Sequence, residues 1–266
     1  MIPRRLPRSA HADQLGAYPD FVLSDESAGS RQGGWRSWFA SRIGSSFNQR
    51  LIVEVGCSNG AFLADVALAH PATAFVGIDW KCKPLCEAAD RVLELKLPNL
   101  ALVRARGQEI RELFAPAEID ELWLFHPDPC DSTLELSNRL MGEPFLSDVH
   151  HLLRDGGLLC LKTDHPGYFQ WTLALFGLPQ PAWTSPREAR HVLEAGQLPE
   201  ASDRVKQLFR VTMTSADYWR DAAALAHTAE RAFAGRTTPF EERFRRRRLP
   251  IYYFEVHKWL PSLAGI

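Results

Sequence analysis

No apolar run in the sequence approaches the roughly 18 residues of a membrane-spanning helix, so a transmembrane segment is not expected. The first twenty residues contain arginines but no apolar core behind them, which argues against a secretory signal. Five cysteines, an odd number without framework spacing, exclude a disulfide scaffold and fit a reducing, cytoplasmic setting. Cys82 and Cys86 lie in a helical stretch without a companion His or Cys pair, so no metal is expected. Net charge is only −1, so any surface for nucleic acid has to come from segregated charge. What is present is ordinary for a globular protein: 45% apolar and 24% charged residues. The 266 residues can bury a substantial core in one α/β domain with additions.

One further absence is informative. The stretch LIVEVGCSNG (51–60) has strand character, carries one acid at Glu54, and breaks into Gly56, Cys57, Ser58, Asn59 and Gly60. A helix-like AFLADVALAH follows at once. Strand, glycine turn and helix let backbone N–H groups and a helix N-terminus approach a nucleotide-like ligand. About twenty residues on, Asp79 ends a second apolar run, where such an architecture places an acid on a ribose diol. The spacing fits a dinucleotide or S-adenosylmethionine. A dinucleotide site wants G-x-G-x-x-G, and the third glycine is missing here. Glu54, two positions before the first glycine, would repel a pyrophosphate but suit a sulfonium and its ammonium group. The site therefore reads as one for S-adenosylmethionine, against the plainer alternative of a structural turn without a ligand.

From Leu51 the pattern alternates: strands over 51–55, 73–78, 100–104 and 119–125, and helices over 60–69, 82–96 and 107–114. This predicts a Rossmann-like α/β fold, a mostly parallel seven-stranded sheet with helices on both faces and ligands at the strands' carboxyl ends. Residues 1–34, rich in Pro, Ser, Gly and Arg, read as a weakly ordered leader. Residues 35–258 read as the main domain and 259–266 as a tail. Trp35, Trp38 and Phe39 form an aromatic cluster at helical spacing, read as a packing patch.

A second informative stretch follows the strand ending at Phe125. Pro127 and Pro129 bracket Asp128 and stiffen its backbone, so an acid is held beside the expected cofactor crevice. A helix over 137–153, a strand at 158–161 and Asp164 at the strand's end come next. Residues 178–235 read as an insertion containing a strand near 208–212 and a helix over 216–233. Four consecutive arginines, Arg245–Arg248, precede a final strand at 249–256; such a run is either a solvated loop or an RNA-phosphate contact.

Five pieces in order give the chain a resemblance to the bacterial tRNA (guanine-N7-)-methyltransferase family. They are Glu54–Gly60 with Phe62, the acid at Asp79, Phe125–Pro129, Lys162–Asp164, and Thr238–Phe244 followed by Pro250–Tyr252 and Glu255–Val256. The resemblance implies that Glu54 and Gly56–Gly60 hold the methionine end of S-adenosylmethionine and Asp79 its ribose. Phe62, Trp80 and Pro127 complete the implied cofactor set; the acid the family carries after the third strand is replaced within Arg104–Gln108, where Gln108 or a backbone amide is left to contact the adenine. Asp128 is the implied catalytic position, and Asp164, Thr238 and Glu241 the implied guanine pocket. After its P-D-P the family carries Trp and a strongly basic run. Here Cys130–Asn138 stands in that place and Arg139 alone matches the run, so it is counted with the substrate-binding residues. Guanine N7 has a lone pair and no proton to lose, so carboxylates that stabilise the cationic product suffice. His126 and His165 receive no role. The expected partner is tRNA. The missing basic run leaves a small nitrogen heterocycle as the alternative substrate, or a non-catalytic binding module.

Overall fold

A computed structural model describes residues 11–132, 135–183 and 185–259. The chain divides into two compact units, the first ending at Trp123 and the second starting at Leu124.

The first unit opens with short helices α1 (Ala12–Leu15) and α2 (Asp25–Gly29) on either side of strand β1 (Val22–Ser24). Helix α3 (Trp35–Ile43) follows. Strands β2 (Leu51–Val55), β3 (Ala74–Asp79) and β4 (Leu100–Arg104) alternate with α4 (Ala61–Ala69) and α5 (Cys82–Glu94). Strand β5 (Ile119–Phe125) carries the chain into the second unit. The order is β1-β4-β3-β2-β5, with β1/β4, β2/β3 and β3/β4 parallel. The chain runs outward from β2 through β3 and β4, then returns to β5 on the other side of β2. That reversal makes the carboxyl end of β2 a topological switch point, where such sheets open a crevice.

Burial explains these elements. Every residue of β2 and β5 is buried, as expected of strands covered on both faces. α5 buries Cys82, Leu85, Cys86, Ala89 and Val92, a helical stripe. The aromatic cluster is packing, as expected. Trp35 and Phe39 are fully buried, and Trp35 donates its ring N–H to the Leu113 carbonyl at 2.9 Å. Glu118 fixes the entry to α3 by accepting the backbone N–H groups of Gly33 and Trp35, both at 3.0 Å.

The second unit contains α6 (Glu143–Leu152), β6 (Leu153–Thr163), α7 (Pro166–Leu175), α8 (Pro186–His191), α9 (Asp203–Leu208), β7 (Phe209–Ser215), α10 (Ala222–His227), α11 (Pro239–Arg246) and β8 (Tyr252–Lys258). β8 lies antiparallel between β6 and β7. The first residue beyond β5, His126, donates its backbone N–H to the Lys162 carbonyl at 2.7 Å. Glu255 sits fully buried in β8, accepting from the Tyr253 hydroxyl (2.6 Å), the Thr212 hydroxyl (2.9 Å) and Arg231 (2.9 Å).

Several expectations need correction. Among the described residues there are eight strands rather than seven, because the segment expected to be weakly ordered supplies β1 over three residues, paired with β4. Residues 1–10 and 260–266 lie outside the described residues. The helix expected over 107–114 is a 3-10 segment, Gly107–Glu112. The helix expected from 137 begins at Glu143, after extended Gly142 and with Pro144 in its first turn. The helix expected over 216–233 breaks at Asp221, whose side chain accepts the N–H groups of Ala223 and Ala224 and starts α10 afresh. The last strand starts at Tyr252, beyond Arg248 at φ +55° and Pro250.

Candidate active site

In the first unit, the switch-point loop is built from backbone. Gly56 and Cys57 both donate to the Ile78 carbonyl, at 2.7 and 3.1 Å, tying the loop to β3. Gly56 and Gly60 have φ of +86° and +63°, the left-handed region that glycine enters without strain. Ser58 joins them at φ +51°. At Gly60 a Cβ would lie 2.7 Å from the Ala88 Cβ, so α4 starts in close contact with α5 only because the residue is glycine. Asn59 accepts the Ala61 N–H at 3.3 Å through its side chain.

Asp79 holds this loop. One carboxylate oxygen accepts the Ser58 N–H at 3.0 Å and the other the Lys81 N–H at 2.9 Å. Glu54 is buried one residue from the end of β2, and the Cys57 thiol beside it is buried too. Burial, with the negative charges of Asp79 and Glu54, pushes that thiol well above its ordinary pKa, so Cys57 is inert packing. Phe62 is buried in α4 and stacks obliquely on Trp123 at 6.3 Å. Trp80 is 42% exposed, with the Arg106 guanidinium 5.7 Å from its ring centre, and Gln108 is exposed in the 3-10 segment.

These residues fit S-adenosylmethionine. Around the position of a Gly56 Cβ there is no atom within 4 Å, so backbone is presented to open space at the switch point. Two carboxylates, buried Glu54 and partly exposed Asp79, suit a cationic ligand carrying a diol, and an exposed tryptophan suits a flat base. The group would be held by Glu54, Gly56–Gly60 and Asp79, and it supplies an electrophilic methyl group.

The second unit assembles a different set. Asp128 is exposed between its two prolines. Asp164, at the end of β6, accepts from His126 Nδ1 at 3.2 Å and lies 3.5 Å from Arg187. Burial raises the pKa of this carboxyl, but the His126 hydrogen bond and charge and the Arg187 charge outweigh it and hold Asp164 below the usual range. His126, given no role by the sequence, thus positions an acid, with its own backbone at φ +52°.

Thr238 and Glu241 form a reciprocal capping box at the start of α11. The Thr238 hydroxyl accepts the Glu241 N–H at 3.1 Å, and Glu241 Oε2 accepts the Thr238 N–H at 2.7 Å. Glu241 Oε1 accepts from Lys162 Nζ at 3.0 Å, and both side chains are fully buried. The Lys162 ammonium lies 4.5–5.2 Å from the ring centres of Phe125, Tyr218, Trp219 and Phe233. Thr238 and Glu241 therefore hold α11 in place rather than line an open pocket.

Arg139 is likewise corrected. Its side chain is fully buried, donating to the carbonyls of Pro129 and Gly167, both at 2.8 Å, so it clamps the loop after Asp128 rather than facing a substrate. Sequence reasoning missed Lys162, His126 and Arg187. For Lys162 a signal existed: a lysine in an unbroken apolar strand requires a buried partner.

Asp131, His165 and His191 bring candidate ligand atoms within 4.8 Å of one another. His165 Nδ1, however, accepts the Tyr168 N–H at 3.1 Å, so the ring proton sits on Nε2, 3.1 Å from Asp131. That nitrogen has no lone pair for a metal, so neutral His165 serves as the N-cap of α7 with His191 packed edge-on against its ring.

With this geometry in hand, comparison with known proteins is direct. Residues 48–215 match the family model described as "Putative methyltransferase". The tRNA (guanine-N(7)-)-methyltransferase of Streptococcus suis is 33% identical over 169 residues, covering 64% of this chain and 76% of that protein. This chain belongs to the tRNA (guanine-N7-)-methyltransferase family. The relative named likewise from Oenococcus oeni is 28% identical and spans 77% of this chain and 92% of its own length. Among solved structures, a 16S rRNA (adenine(1408)-N(1))-methyltransferase from Catenulisporales acidiphilia covers 85% of this chain and 94% of its own, with a TM-score of 0.53 and 18% identity. That likeness shows the shared fold alone. The protein is thus an S-adenosylmethionine-dependent methyltransferase of Rossmann-like α/β fold. None of its described helices is long and apolar enough to cross a membrane.

Proposed function

We propose that this methyltransferase transfers its methyl group to N7 of a guanine in tRNA. The observation that carries the reading is Asp164: an acid at a strand end, 24% exposed, held ionised by His126 and Arg187. Such a carboxylate accepts hydrogen bonds from guanine N1–H and its amino group, and it stabilises the positive charge that N7 methylation leaves on the base. N7 needs no base to deprotonate it, so positioning and exclusion of water do the work. Asp128, fixed by its prolines and by the Arg139 clamp on Pro129, serves as the second acid and the catalytic position. Glu54, the Gly56–Gly60 turn and Asp79 serve the cofactor, together with Phe62, Trp80, Gln108 and Pro127. Thr238 and Glu241 act by holding α11.

The test is methyl transfer from labelled S-adenosylmethionine to bulk unmodified tRNA, followed by nucleoside analysis. Label in 7-methylguanosine, lost in Asp128→Ala while cofactor binding persists, supports the reading. Cofactor binding without label in any tRNA refutes it. A small nitrogen heterocycle then becomes the leading substrate, favoured by the absence of the family's basic run from Cys130–Asn138.

A further inference from the structure

Sequence reasoning reads residues 178–235 as an insertion without a site, yet the short helix α8 within them is tethered at both ends. Ser185 and Glu188 close a capping box at its start, and the other Glu188 oxygen accepts the Tyr252 hydroxyl of β8 at 2.8 Å. Just past its end, the Leu193 N–H donates to the Gln170 side chain in α7 at 2.6 Å, and the Leu193 carbonyl accepts from the same amide at 3.2 Å. Of the two arginines of α8, Arg190 is exposed and Arg187 is laid against the end of β6. The Arg187 guanidinium lies 5.0 Å over the Phe244 ring, and its Nη2 donates to the Asp164 backbone carbonyl at 3.2 Å.

Asp164 thereby sits between two cation-capable side chains. Its Oδ1 lies 3.2 Å from His126 Nδ1, and its Oδ2 lies 3.5 Å from Arg187 Nη2. An ionised carboxylate has about four lone-pair sites, so each oxygen keeps room for another donor. Arg187 has donors to spare as well. Its Nη1 is buried with no hydrogen-bond partner among the described residues, a costly condition that a ligand oxygen relieves. The two side chains reach the surface together, Arg187 28% and Asp164 24% exposed. Starting at the arginine, the strand end offers donor, acceptor, acceptor: an Arg187 N–H, then Oδ2, then Oδ1. Guanine carries the complement along one edge, with the O6 acceptor, the N1–H and the amino group in that order. Adenine would set its amino donor against the arginine and a ring acceptor against the carboxylate. N7 lies outside this edge and stays free for methylation.

We propose that Arg187 is a specificity-determining residue of the methyl transfer: it donates to guanine O6 while Asp164 accepts from N1–H and the amino group. This rests on the guanine reading above and deepens it. Asp164 alone reads two donors; Arg187 adds the neighbouring acceptor and makes the pattern that of guanine. The tethers on α8 hold the arginine in register with the carboxylate.

The experiment compares kcat/KM of the full chain on three versions of one tRNA that differ only at the guanine the wild type methylates, located first by nuclease mapping. The base there is guanine, 6-thioguanine, whose sulfur is a much weaker acceptor, or hypoxanthine, which keeps O6 and N1–H but lacks the amino group. Wild type favours guanine over 6-thioguanine by about 10-fold or more, the scale of one hydrogen bond to a charged group. In Arg187→Met, which keeps an unbranched stem over Phe244, that preference vanishes. The preference for guanine over hypoxanthine persists, because Asp164 reads the amino group. Cofactor binding by calorimetry and thermal unfolding check that the variant is folded. An equal loss on all three RNAs in folded Arg187→Met overturns the assignment, since an arginine that only supports Asp164 gives that result. Equal use of guanine and 6-thioguanine by the wild type overturns it too, without need of a variant. Both leave the guanine reading intact. Wild-type protein that methylates no tRNA, or an atom other than guanine N7, overturns both readings and is told apart before any analogue is used.

Discussion

Replacing Glu241 by Gln tests the buried anchor of α11 at almost constant volume. In the native protein one carboxylate oxygen accepts from the Thr238 N–H and the other from the Lys162 ammonium, and neither side chain touches water. Glutamine keeps one oxygen. Whichever donor that oxygen serves, the amide NH2 faces the other donor, and the ammonium loses its counter-charge inside a ring of four aromatic residues. Breaking a buried pair on one side costs about 3–5 kcal/mol, a large part of the roughly 5–15 kcal/mol that holds a protein of this kind folded. The expected fall in melting temperature is about 6–20 °C, at roughly 2–4 °C per kcal/mol. Lys162→Met alone strands Glu241 and costs a similar amount. In Lys162→Met/Glu241→Gln no charge remains, the amide oxygen completes the capping box, and a thioether suits the aromatic ring. The double variant therefore recovers to within about 1–2 kcal/mol of wild type, a strong positive coupling. Urea unfolding followed by tryptophan fluorescence and far-UV circular dichroism measures all four proteins. Losses that simply add in the double variant, or less than about 1 kcal/mol for Glu241→Gln, would refute the reasoning. There is a pH signature as well. Burial raises the Glu241 pKa, but the Lys162 charge and its hydrogen bonds bring it below its ordinary value. Its stabilisation is thus complete above the unfolded carboxyl range and disappears as pH falls through the lower folded value, so wild type and Glu241→Gln converge in acid.

Asp79→Asn keeps one acceptor oxygen for two backbone donors, Ser58 and Lys81, and removes the charge proposed to serve the cofactor; on that reading the Kd for S-adenosylmethionine rises about 10-fold or more by calorimetry. An unchanged Kd would show that the carboxylate holds only the loop. His257 has its pKa raised by its hydrogen bond to Glu255, against the effect of burial and helped by the Gly156 carbonyl. His227, Arg231, Tyr253 and Thr212 face the same carboxylate. The His257 contribution is complete below the unfolded histidine value and is lost as pH rises through the folded one. The stability advantage of wild type over His257→Asn therefore shrinks from pH about 6 to pH about 8 in denaturant titrations, and a constant difference would exclude the linkage.

The parts of the fold that sequence exposes are those where one physical rule acts alone. In Leu51–Gly60 an unbroken apolar run, two glycines and a helix starter follow in order, and the structure has β2, a left-handed Gly56 and Gly60, and α4 at those places. β1 is too short for any period to show: its three residues are placed by pairing with Leu102–Arg104, eighty residues on. Asp221 illustrates another limit. The stretch running through it into Ala222–His227 looks continuous, yet the side chain captures two backbone N–H groups and restarts the helix. Arg139 was read by position alone, whereas its place is set by carbonyls at Pro129 and Gly167 that only the folded chain brings together.

The T-P-F-E block carries the sharpest lesson about site residues. A threonine followed three positions later by glutamate is, by local chemistry, a capping box, and both residues are spent in that role here. Lys162, 79 residues away, takes the last free oxygen of Glu241. The block fixes the first turn of α11, and that turn sets where Phe240 lies against His126. Loss of Glu241 would accordingly damage stability, and the Lys162→Met/Glu241→Gln pair would repair it. Loss of Asp164, which is partly exposed and caps nothing, would lower methyl transfer with a much smaller effect on folding. The two acids differ in burial and partners, so their variants separate support from chemistry.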